Sequence, residues 1–81
     1  MFTVIYNLKD VGKYDALKSA IKVFMDKVRE DADNNRLTLQ LIETACWIEE
    51  NGRFGKMNFF DARDMAIKEG WMVSGSGEWV A

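Results

Sequence analysis

Residues 2–8 open the chain with a period of two. Phe2, Val4, Tyr6 and Leu8 share one parity, and Thr3 and Asn7 share the other. This is the signature of a strand with one buried face. Ile5 breaks the alternation, so the second face is expected to be partly covered. Residues 9–12 read as a turn, and Asp10 is a more usual helix cap than Gly12. From residue 13 to about 32 the period becomes helical. Tyr14, Leu17, Ile21, Phe24, Met25 and Val28 recur at steps of three and four and form one broad apolar stripe. Lys18, Lys22, Asp26, Lys27, Arg29, Glu30 and Asp33 supply the wet side, with Lys27–Asp31 and Arg29–Asp33 as candidate i,i+4 pairs. Asp33-Asn34-Asn35 ends the helix.

Residues 37–50 carry two periods at once. Leu37, Leu39 and Leu41 alternate as in a strand, whereas Leu37, Leu41, Ala45 and Ile48 fit a helix. Asn51-Gly52 is a strong hairpin signal, because both central positions of a type I′ turn need positive φ. Residues 45–50 and 54–57 are therefore expected to pair, with room for a bulge at Gly55. Residues 37–44 remain open between strand and short helix. Asn58 then caps a second helix with Asp61 in its first turn, and Phe59, Ala62 and Ala66 share a face. Gly70 fits the left-handed position past the helix end, with Trp71 packing back. Residues 71–73 and 78–80 read as a terminal hairpin around Ser74-Gly75-Ser76-Gly77.

These elements predict one compact α+β domain over residues 1–81. A small antiparallel or mixed sheet is packed on one face by two α-helices, in the order β-α-β-β-α-β with a short terminal hairpin.

Composition then narrows the function classes. The chain has 81 residues, 48% hydrophobic and 12% aromatic, which is an ordinary folded balance for one domain. It has no His, so the commonest general base and metal ligand is missing. The one Cys, Cys46, can form neither an internal disulfide nor a zinc site, which fits a reducing, cytoplasmic setting. The start of the chain lacks signal-peptide features, and no apolar run is long enough to span a membrane. The formal charge is −2, which disfavours a general nucleic-acid binder. No cofactor motif is present. The glycines at 52 and 55 lack the spacing and the Lys-Ser or Lys-Thr ending of a phosphate loop.

The stretch 48–58, Ile-Glu-Glu-Asn-Gly-Arg-Phe-Gly-Lys-Met-Asn, with Asp61-Ala62-Arg63-Asp64-Met65-Ala66 running on to Gly70, resembles part of the N-terminal domain of bacterial translation initiation factor three. The resemblance spans residues 48–70. It implies a local strand, Asn-Gly turn, strand and capped helix. The long helix before it, the Trp-rich tail and the acidic balance depart from that family, and no ribosome-binding role is carried over.

Individual residues offer little chemistry. Asp61 and Asp64 sit one turn apart, but capping and solvation explain them better than a metal does. Glu49 and Glu50 are neighbours on a strand, point to opposite faces and cannot clamp one ion. Cys46 lies among Ala45, Trp47 and Ile48, an apolar setting that leaves a thiol inert. The chain therefore reads as a non-enzyme. Arg53, Phe54 and Lys56 place two cations and a ring on the hairpin, where they serve either as a solvated turn or as a stacking tip for single-stranded nucleic acid. The latter requires Lys13, Lys18 and Lys22 to face the same way.

Trp47, Trp71 and Trp79, with Phe59, Phe60, Tyr6 and Tyr14, are many large rings for so small a core, and they either close the sheet over its two helices or stand partly exposed as anchors of a protein interface. The leading expectation is a small intracellular interaction module, an adaptor or inhibitor of a larger host or cellular protein. Compact chains of this kind are frequent among phage and mobile-element proteins. The expected contact residues are Glu49, Glu50, Arg53, Phe54 and Lys56 on the hairpin, or Trp71 and Trp79 on the tail. A homodimer through an exposed strand near Val80 is a further expectation. The alternative is a nucleic-acid-binding accessory protein using hairpin 51–56.

Overall fold

A computed structural model describes residues 1–50 and 55–80. The chain runs β1 (Phe2–Tyr6), β2 (Lys9–Tyr14), α1 (Leu17–Asp33), α2 (Leu39–Thr44), β3 (Trp47–Glu50), β4 (Lys56–Met57) and α3 (Phe59–Lys68). The four strands form one antiparallel sheet in the order β2-β1-β3-β4. The α+β class and the helix-covered sheet agree with the sequence expectation, but the element order differs.

The largest difference is β2. Residues 9–12, read as a turn, belong to a strand, and the turn is Asn7-Leu8 instead, with φ of 53° and 65°. Those values are the paired positive φ of a tight hairpin. Leu8 is an unusual residue there, because a Cβ is disfavoured in the left-handed region. Its amide donates to Ala45 O at 2.9 Å, which ties the turn to the start of β3. With Tyr14 in β2, α1 begins at Leu17, and its N-cap Ala16 offers no side-chain bond.

At its far end α1 stops as expected. Asn35 is left-handed with φ of 56°, and the Arg36 amide reaches back to Asp31 O at 2.8 Å. Residues 39–44 resolve to a short helix, because Thr38 Oγ1 accepts from the Leu41 amide at 3.1 Å and Ile42 is buried. Asn58 Oδ1 accepts from the Asp61 amide at 2.8 Å and caps α3. Gly70 closes α3 with φ of 77°, while Trp71 N donates to Ala66 O at 2.8 Å. The terminal hairpin is reduced to one bridge, Met72 to Trp79, outside the main sheet. The predicted Asn51-Gly52 turn lies outside the described residues.

The core lies between one sheet face and the helices. Val4, Tyr6 and Ile48 meet Ala20, Ile21, Phe24 and Val28 of α1, Ala62 and Ala66 of α3, and Ile42, Cys46 and Met72. Phe24 is wholly buried at its centre. Its ring meets Tyr6 edge-on at 6.4 Å and Phe59 at 6.3 Å. Tyr6 spans the layer, and its hydroxyl donates to Asp31 Oδ2 at 2.6 Å. Burial first, then this bond and the charge of Asp31, push the phenol well above its ordinary value. The expected Lys27–Asp31 and Arg29–Asp33 pairs are replaced. Asp31 serves Tyr6, Lys22 pairs with Asp26 at 3.2 Å, and Arg29 reaches the tail.

Candidate interaction surface

Strand alternation that buries Val4 and Ile48 turns their neighbours to the other side of the sheet. Ile5 and Trp47 are absent from the core cluster, to which each of the three helices contributes, so among the described residues the helices lie on the other side of the sheet from Thr3, Ile5, Trp47 and Glu49. Register places them in two cross-strand rows. Lys13, Thr3, Glu49 and Lys56 form one, and Asp10, Ile5 and Trp47 the other. Thr3 is the small residue of its row and is itself buried. Opposed residues of an antiparallel pair share a face, so these seven make a continuous surface.

A bulge in β2 completes it. Val4 opposes Gly12 and Ile5 opposes Asp10, which leaves Val11 as the extra residue. Val11 packs toward the core, and Asp10 and Lys13 on either side both come to the open face. The Asp10 carboxylate also accepts from the Gly12 amide at 3.0 Å.

Trp47, at the β3 end of the second row, is the one aromatic among these seven residues. Its indole Nε1 donates to Glu49 Oε1 at 2.8 Å, and Lys56 Nζ lies 4.3 Å from the ring centroid. Both contacts come from residues on the same face, two along the strand and one strand over. They hold the half-buried indole in one orientation with its polar atom satisfied. Around it, Lys13 and Lys56 balance Asp10 and Glu49.

The predicted contact residues divide among regions. Glu49 and Lys56 lie on the open face. Glu50 points to the helix side, beside a cleft of about 320 Å³ lined mainly by Phe2, Leu17, Ile48 and Met57. Arg53 and Phe54 lie outside the described residues. Trp71 and Trp79 sit on the helix layer, their rings 6.4 Å apart, with Lys18 5.8 Å from the first and Lys22 5.7 Å from the second. Arg29 fastens the same tail by donating to Gly77 O at 2.6 Å. Both indoles are half-buried in this packing.

Val80 belongs to the tail, and its amide donates to Trp71 O at 2.7 Å. The long free edge of the sheet is β2, not the strand near Val80. Sequence reasoning did not place Ile5, Asp10 or Trp47 among the contact residues, and it put Lys13 on the first helix rather than on this face. The interruption at Ile5 was the available signal, since it is the apolar residue on the otherwise polar parity of β1.

The other candidates take structural places. Cys46 is buried, and desolvation pushes its thiol up against the opposing effect of the Asn7 amide. The Asp61 amide donates to the Asn58 cap, and Asp64 lies 4.0 Å from Arg63. Among the described residues, no three His, Cys, Asp or Glu side chains cluster in a way that would hold a metal. Lys13 faces away from Lys18 and Lys22, so the three lysines do not form one basic patch. No helix of the described residues is long and apolar enough to cross a membrane.

No protein-family model, curated protein or solved structure matches the chain.

Proposed function

We propose that the protein is an interaction module that docks a larger folded protein on the open face of its sheet, and acts as an adaptor or inhibitor by occupying that partner's surface. The observation that carries this reading is Trp47, fixed by Glu49 and Lys56 beside Ile5 on a face that, among the described residues, lies opposite the helix-covered core. Such an aromatic is the usual energetic centre of a protein interface. Its rotamer is already set, so little side-chain entropy is lost on docking. Its indole N–H is already bonded, so an apolar partner surface can close over it without stranding a donor.

Balanced charge on the rim favours a protein partner over a polyphosphate. Lys13 and Lys56 are matched by Asp10 and Glu49, whereas a nucleic-acid surface needs an excess of cations. A role without catalysis fits a chain whose thiol is buried and whose carboxylates serve caps and surface pairs. The lone unpaired thiol fits the cytoplasm.

The test is affinity capture from nuclease-treated extract, followed by mass spectrometry, with wild type compared against W47T/K56E. A partner retained by wild type and lost by the folded variant supports the reading. Equal recovery by both, or retention of nucleic acid in place of protein before nuclease treatment, overturns it.

A further inference from the structure

β2 is the outer strand of the sheet, and among the described residues no strand pairs with its free edge. At six residues it is also much longer than the two-residue strand β4 at the opposite edge. An edge of this length is a template for another strand. Its sequence, Lys9-Asp10-Val11-Gly12-Lys13-Tyr14, becomes self-complementary when it is paired antiparallel with itself about a twofold axis between Val11 and Gly12. Asp10 then opposes Lys13 of the second copy, and Lys13 opposes Asp10. Both belong to the open face, because Asp10 pairs with Ile5 and Lys13 with Thr3 inside the sheet. The bulge at Val11 makes this possible. Without the extra residue, positions 10 and 13 would fall on opposite faces.

The remaining pairs also agree in face. Lys9 opposes Tyr14 of the copy, and within the sheet these residues pair with Tyr6 and Phe2 on the helix side. Val11 packs toward the core and would oppose Gly12, over which the phenol of Tyr14 lies, so the copy's Val11 would meet that ring. Asp10 and Lys13 are both exposed in the isolated chain. The carboxylate oxygen of Asp10 that is not bonded to Gly12 remains for the lysine.

We propose that two copies of this chain associate edge to edge through β2, joining their sheets into one and matching Asp10 with Lys13 across the twofold. The copy is chosen over an unrelated strand because the charge pattern is complementary to itself. This interface uses the edge of the sheet rather than its open face, and it stands whether or not that face takes a partner.

Sedimentation equilibrium at high micromolar concentration tests it, using wild type, D10K, K13D and an equimolar mixture of the two variants. Wild type should approach twice the chain mass of 9.3 kDa. Each single variant places like charges in both symmetric pairs, and should weaken association about tenfold or more. The mixture should restore it. The lysine introduced at position 10 of one chain then meets the aspartate introduced at position 13 of the other, and the two unaltered residues, Lys13 and Asp10, still pair. K13D leaves the Asp10–Gly12 bond intact, and circular dichroism of each variant confirms its fold. A monomeric wild type, single variants that associate like wild type, or a mixture of folded variants that stays monomeric would each overturn the proposal.

Discussion

The two faces of one sheet are built from alternate residues of the same strands, yet they meet different demands. On the helix side, Val4 and Ile48 are almost fully buried beneath Phe24 and Ile21. Tyr6 brings a polar group to that side, and its hydroxyl has a partner in Asp31. On the other side, Ile5 and Trp47 lie outside the hydrophobic core, and Trp47 is held by Glu49 along its own strand and by Lys56 of the neighbouring one. Burial supplies roughly 25 cal/mol per Å², whereas a cross-strand pair supplies only about 0.2–1 kcal/mol. The helix side therefore holds the fold, and the open side is free to be shaped for something else.

Substitutions on the two faces should separate these roles. F24A removes the ring at the centre of the core and should cost about 3–5 kcal/mol in denaturant unfolding, close to the whole stability of a small domain. A cost under about 1 kcal/mol would break the division at its stronger end. Y6F removes a bond to a charged acceptor and should cost about 1.5–3 kcal/mol at neutral pH.

The same residue gives a pH signature. The folded phenol holds its proton to higher pH than the unfolded one. Its contribution is therefore complete below about pH 10 and declines as pH rises beyond it. Wild type should lose stability above that point more steeply than Y6F, and parallel alkaline profiles would contradict the buried position of Tyr6. W47T keeps a strand-forming residue while removing the indole. It should cost about 1 kcal/mol, since it deletes cross-strand pairs and no helix contact. A loss as large as that of F24A would make Trp47 a core residue and end the comparison.

Local patterns made α1, α3 and the strands β1 and β3 legible. The stripe from Leu17 to Val28 declared α1, and Asn58 with Gly70 fixed both ends of α3. The parity of Val4 and Tyr6 declared β1. β2 was hidden because Lys9, Asp10, Gly12 and Lys13 carry little strand propensity, and its Asn7-Leu8 turn lacks the usual glycine. Pairing with β1 decides its conformation, and that is a tertiary effect. Residues 37–44 carried two periods, and burial of Ile42 chose between them. The surface was half legible for the same reason. Glu49 and Lys56 stood out beside a turn, but their rows with Thr3, Lys13 and Trp47 depend on register, which no single strand encodes.

The measurement closest to the central claim is photo-crosslinking in cells from one position on each side of the molecule. A benzophenone amino acid replaces Ile5 in the middle of the open face, or Asp26 on the exposed side of α1. The account predicts a discrete protein adduct from position 5 and none from position 26. Adducts from position 26 alone, or none from position 5 while the protein remains folded, would contradict it.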